Sequence, residues 1–218
     1  LRSVALVLGM LIGVAGLATD FAVMVPSLLS VTPANPVARS LPDALIRFWT
    51  YFTHLTNLGL VLVYLAALTG WGWLSWFGRP QTRALMAGYI LLVMLYYHFV
   101  LAPLYHFEGP LLVATILLHY VAPLYYLGWW AIGAPHGDLR LAAIPAMLVP
   151  GLAYLAWALA RGAVTGEYPY DILDAGKNGY GAVAIGIAAL LAAVTVFCTL
   201  VVAADRVIPR LVRQRTPG

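Results

Sequence analysis

YGAVAIGIAALLAAVTVFCTLVVAA, residues 180–204, carries no charged side chain from end to end. A hydrocarbon core about 30 Å thick needs about 20 apolar residues in an α-helix, so this stretch predicts a transmembrane helix. Five runs of comparable length precede it, roughly at 4–29, 44–68, 84–105, 110–132 and 141–160, each bounded by charges or by Pro and Gly. The alternation of apolar and polar residues that marks a membrane β-barrel is absent. The expected architecture is therefore all-α, a polytopic membrane protein whose residues 1–218 form a single domain built as a six-transmembrane-helix bundle.

Composition agrees with the runs. The 218 residues are 63% hydrophobic and 9% charged, against about 45–50% and about 25% in soluble domains. A soluble enzyme, a disordered tail and a nucleic-acid binder are excluded, because the basic residues behind a net charge of +4 sit singly or at the C-terminal end. The lone Cys198 lies inside an apolar run, so no disulfide framework exists. The first run is too long for a signal-peptide core and reads as a retained span, and because Leu1 is not Met a short N-terminal piece is expected to have been removed. Arg2, Arg79, Arg83, Arg140, Arg206, Arg210, Arg213 and Arg215 fall on one side of the membrane and Arg39, Arg47, Arg161 and Lys177 on the other. That asymmetry predicts both termini in the cytoplasm and a location in a bacterial inner membrane. The polar segment 161–179 is then an outer loop, and the stiff Tyr168-Pro169-Tyr170 within it suggests a cap folded over the outer mouth. Trp71, Trp73, Trp76, Trp129 and Trp130 read as interfacial belts.

Ionisable groups inside the spans are costly and mark candidate sites. Counted from the outer helix ends at 1.5 Å per residue, Asp20, Thr53, His54, Asn57, His98 and His119 fall in one layer, roughly 10–20 Å deep. Arg47, Thr50, Thr53, Thr56 and Asn57 draw a polar stripe on the second span, and Gly9, Gly13 and Gly16 share a packing face with Asp20 on the first. A threonine hydroxyl becomes a nucleophile when an imidazole takes its proton, and Thr53 with His119 supplies that pair. Asp20 could orient the imidazole, while Asn57, His98 or a tyrosine could donate to the oxyanion. Arg47 and Arg161 suit a lipid carboxylate at the outer rim, with snorkelling as the alternative. The ordinary reading of each polar group, a hydrogen bond across helices, competes with all of these roles.

Three blocks carry a resemblance: RFWTYFTHLTNLGLV at 47–61, LLHYVAPLYYL at 117–127 and RGAVTGEYPYDILDAGKNGYG at 161–181. From Arg47 to the end of the sixth span the chain resembles the bacterial branch of the androgen-induced and androgen-dependent TFPI-regulating protein family. Its animal members are multi-span threonine hydrolases of fatty acid esters of hydroxy fatty acids. The resemblance implies Thr53 as nucleophile, with Thr56 as the weaker alternative, and His119, followed by Pro123, as general base. It also implies a membrane lipid or fatty acid ester as substrate; Arg47, Arg161, Tyr168 and Tyr170 are the candidate binding residues, and no cofactor or protein partner is expected.

Two other chemistries fit the same layer. His54, His98, His119 and Asp20 could form a zinc site for metal-assisted lipid hydrolysis, and His98 with His119 could ligate haem. A third reading is non-enzymatic, a lipid or small-molecule binder or transporter that uses the layer for recognition alone.

Overall fold

The computed structural model describes residues 2–31 and 36–215, with side chains described from 3–31 and 36–209. Every regular element among the described residues is helical. Among the described residues six helical stretches are long and apolar enough to cross a membrane: Ser3–Leu29, Phe52–Thr69, Pro80–Leu101, Gly109–Gly133, Leu141–Thr165 and Ala175–Pro209. The chain is thus a multi-pass membrane protein. The described residues group into two compact units, Leu1–Pro135 with four of the spans and His136–Gly218 with two. The side chains of Arg2, Arg210, Arg213 and Arg215, used above to orient the chain, lie outside the described set.

In the first unit, α1 (Arg2–Leu29) crosses once, and its glycines set how closely its neighbours come. A Cβ on Gly9 would lie 2.4 Å from Tyr64 Cζ, one on Gly13 2.7 Å from Val61 Cγ2, and one on Gly16 2.8 Å from Leu118 Cδ2. The expected packing face is therefore present, and Asp20 continues it.

The second span departs from expectation. Instead of one helix over 44–68, a short α2 (Leu41–Trp49) ends before Thr50, and a new helix α3 (Phe52–Thr69) begins after an extended Tyr51. Ser40 caps α2 by accepting from the Asp43 amide, and Thr50 closes its last turn with N–H to the Arg47 carbonyl. The stripe Arg47, Thr50, Thr53, Thr56, Asn57 is therefore not one helical face. Arg47 and Thr50 lie before the break and the other three after it. No glycine or proline marks the break.

Two π-helical turns follow. Helix α4 (Pro80–Tyr96) runs into one at Tyr97–Leu101, and α5 (Gly109–Ile116) continues through another at Leu117–Val121 into α6 (Ala122–Gly133). Each is followed by Ala-Pro, at 102–103 and 122–123. In each case the alanine amide bonds five residues back, Ala102 to the Tyr97 carbonyl and Ala122 to the Leu117 carbonyl. The next residue has no N–H to continue the pattern.

In the second unit, α7 (Ile144–Thr165) extends past the expected end near Ala160, and α8 (Ala175–Arg215) bends at Gly179, whose φ of 77° and ψ of 154° suit glycine alone. The segment between them folds back onto its own unit. Arg161 donates to the Glu167 carbonyl and to its carboxylate, the Tyr168 ring lies flush against Gly162, and Ile172 fills the space over Gly186. At the other end of α8, buried Asp205 accepts from the His136 ring and from the Gly137 and Leu139 amides, while Arg206 Nε donates to the Leu139 carbonyl.

Gly13→Val is expected to destabilise the protein by about 1–3 kcal/mol through overpacking against Val61. Asp205→Ala, which removes the acceptor of the Gly137 and Leu139 amides, is expected to cost about 2–5 kcal/mol. Thermal denaturation in detergent micelles measures both, and unchanged midpoints would contradict the packing and the tie.

Candidate functional site

The first turn of α3 and the π-helical turn of the fourth span face each other. Thr53 Oγ1 stands 3.4 Å from His119 Nε2, and His119 Nδ1 is 3.0 Å from the Thr115 carbonyl. A carbonyl can only accept, so Nδ1 carries the proton and Nε2 turns its lone pair toward the hydroxyl. This is the tautomer in which an imidazole can act as a general base, with the hydroxyl at the long end of hydrogen-bond range. The Tyr97 ring stacks on the imidazole at 4.0 Å between centroids and 25° between planes, fixing its tilt. Thr53 is only 8% exposed, and as the second residue of α3 it sits at the positive end of the helix dipole.

Asn57, one turn further on and 0% exposed, ties the two helices together. Its Nδ2 donates to the Thr53 carbonyl at 2.9 Å and to the Leu118 carbonyl at 3.2 Å. The second bond has a local cause. Ala122 bonds back to Leu117 and Pro123 has no N–H, so the Leu118 carbonyl needs a donor from elsewhere. Asn57 therefore holds the scaffold rather than donating to an oxyanion.

Asp20 does not orient His119, as the sequence suggested. It bonds His54, with Oδ2 2.5 Å from Nε2, while His54 Nδ1 lies 2.5 Å from the Phe48 carbonyl and the ring stacks on Phe48 at 4.0 Å. Both His54 nitrogens face oxygen. The Phe48 bond places a proton on Nδ1, and one more proton is shared between Nε2 and Asp20. Orientation of His119 falls to Thr115, whose carbonyl sits one turn before it.

The remaining expectations divide. His98 is exposed and bonds Tyr120 OH at 3.1 Å, away from the buried layer. The zinc set of His54, His98, His119 and Asp20 is not assembled: His54 uses both nitrogens on Phe48 and Asp20, and among the described residues no three His, Cys, Asp or Glu side chains converge as a metal requires. The paired-histidine haem site fails for the same reason, since His98 bonds Tyr120 and His119 faces Thr53. Thr56 is buried, and its hydroxyl has no partner among the described residues, so the bond to His119 falls to Thr53. Arg47 lies 5.4 Å from the centre of the Tyr51 ring, a cation–π contact at the break. Arg161, Tyr168 and Tyr170 belong to the second unit, where Arg161 is engaged by Glu167.

Sequence reasoning did not single out Phe48, Tyr97, Thr115 or Leu118. The Ala-Pro pairs after both π-helical turns are the one local signal that could have pointed to the last of these. Comparison of the chain with known protein families, curated proteins and solved structures found no match.

Asn57→Leu, which keeps the branching at Cγ but strands the Leu118 carbonyl, is expected to cost about 1–3 kcal/mol of stability. Denaturation in micelles beside Thr56→Val, whose hydroxyl has no hydrogen-bond partner among the described residues, gives the comparison. Equal effects of the two substitutions would contradict the tie.

Proposed function

We propose that the chain is an intramembrane ester hydrolase that works through a threonyl ester. The observation that carries this reading is the Thr53 hydroxyl facing the lone pair of His119 Nε2 while Thr115 holds Nδ1–H. Thr53 Oγ1 attacks the ester carbonyl as its proton passes to Nε2, and the oxyanion forms beside the positive end of α3. Collapse of the tetrahedral intermediate breaks the bond to the leaving alkoxide, which takes the proton from Nε2. Water then attacks the acyl-threonine with Nε2 again as base, releasing the acid and restoring the hydroxyl.

The substrate class rests on the site's place within the spans and on the three resembling blocks. His119 lies ten residues inside Gly109–Gly133, about 15 Å along the helix, so an ester carried in the bilayer is the natural substrate. A fatty acid ester of a hydroxy fatty acid fits both that position and the resemblance. The excess of arginine at the two ends and after the second and fourth spans supports an inner-membrane location with both termini cytoplasmic.

A fluorophosphonate is expected to label Thr53, with the adduct located by mass spectrometry of the intact and digested protein. Thr53→Ala abolishes the adduct, Thr53→Ser retains it, and His119→Ala slows labelling by about 10²–10⁴-fold. A folded wild-type protein without an adduct, or an adduct indifferent to Thr53→Ala, would overturn the reading in favour of a lipid-binding role.

A further inference from the structure

The break in the second span needs a cause. In an unbroken helix the Phe48 carbonyl would accept from the Phe52 amide, four residues on. Here that carbonyl is taken by the His54 ring, which reaches back across Thr50 and Tyr51, lies flat on the Phe48 ring and is held from behind by Asp20 of α1. Both members are buried, at 4% for His54 and 8% for Asp20, and neither touches Thr53 Oγ1 or His119 through any hydrogen bond described above.

We propose that Asp20 and His54 are a positioning pair that keeps the second span open at Thr50–Tyr51, so that Thr53 stays in the first turn of α3 with the positive helix end beside it. The proposal rests on the reading of Thr53 as nucleophile and adds what places it. When the pair is lost, the Phe48 carbonyl becomes available to the Phe52 amide. The span can then close into one helix, and Thr53 passes from a helix end to a helix interior. The interior has no positive pole. Asp20→Asn should preserve the arrangement, because an amide N–H can donate to Nε2 of a His54 that keeps its proton on Nδ1. Phe52→Pro should enforce the break without the pair. Proline at the first helical position has no N–H for the Phe48 carbonyl, and it favours the extended conformation that Tyr51 already has, with ψ at 128°.

The test uses the full chain in lipid nanodiscs, with two independent readouts. Fluorophosphonate labelling at Thr53 and turnover of a long-chain p-nitrophenyl ester report the chemistry, and amide hydrogen exchange over 48–55 reports the break. Asp20→Ala, with His54→Gln as the second variant should the first not fold, is expected to slow labelling and kcat by about 10- to 100-fold. KM changes by less than about two-fold, and exchange over 48–55 becomes slower. Asp20→Asn is expected to behave as wild type, and adding Phe52→Pro to Asp20→Ala to restore labelling. A merely structural role would not be rescued by a proline. Wild-type labelling and exchange in both variants, or a Phe52→Pro that fails to restore labelling, would overturn the proposal. A wild-type protein that shows no adduct on Thr53 would sink the nucleophile reading, while exchange over 48–55 would still decide whether the pair holds the break.

Discussion

A peptide carbonyl inside a membrane span has no water to turn to, so whatever interrupts a helix must supply a donor. Around the candidate site the Phe48, Leu118 and Thr115 carbonyls each take a donor from a side chain, from His54, Asn57 and His119 respectively. The three donors are the core of the candidate site. Interrupted backbone and polar side chains satisfy one another, and Thr53 and His119 are brought face to face by the same bonds that keep the interruptions tolerable.

The scaffold around them is rigid for ordinary reasons. Gly9, Gly13 and Gly16 let Tyr64, Val61 and Leu118 lie against the α1 backbone, and the face they begin ends at Asp20. An error in the register of α1 would therefore be transmitted to His54 and, through the break, to the start of α3. Close packing in place of a fluid apolar contact gives a hydroxyl and an imidazole on different helices a defined separation. Tyr125 and Tyr126, which donate to the Ala5 and Arg83 carbonyls, fix α6 against α1 and α4 in the same way.

How much of this was legible in the sequence follows from what each pattern encodes. Hydropathy encodes length and burial, and the six spans were read from it with ends within a few residues, apart from the division of the second. Residue counting along a helix encodes depth, and among the residues so grouped hydrogen bonds join Asp20 to His54 and Thr53 to His119, while Asn57 bonds the Thr53 and Leu118 carbonyls. Depth does not encode azimuth. Asp20 was assigned to His119 when it faces His54, and His98 was included although it turns outward to Tyr120. The break at Thr50–Tyr51 was invisible because it is made by a side chain of the next turn and a carboxylate from another helix. The π-helical turns left a trace, Ala-Pro in both places, that a reading confined to 3.6-residue periodicity passes over.

The protonation pattern bears on why such a site can exist in hydrocarbon at all. His54 and Asp20 hold between them the protons that leave the pair without net charge, and His119 with its proton on Nδ1 is neutral. The resting layer therefore carries no net charge into a medium where an isolated ion is costly. Under the proposed mechanism, charge appears only as Thr53 gives up its proton, and it appears as a pair: an imidazolium at His119 and an oxyanion beside the start of α3. Opposite charges created in contact attract far more strongly in a low-dielectric interior than in water. The positive helix end is already in place before the reaction begins, so no solvent has to reorganise to meet the oxyanion. Burial, which would penalise a single catalytic ion, favours a site that is neutral at rest and separates charge only over the length of one hydrogen bond.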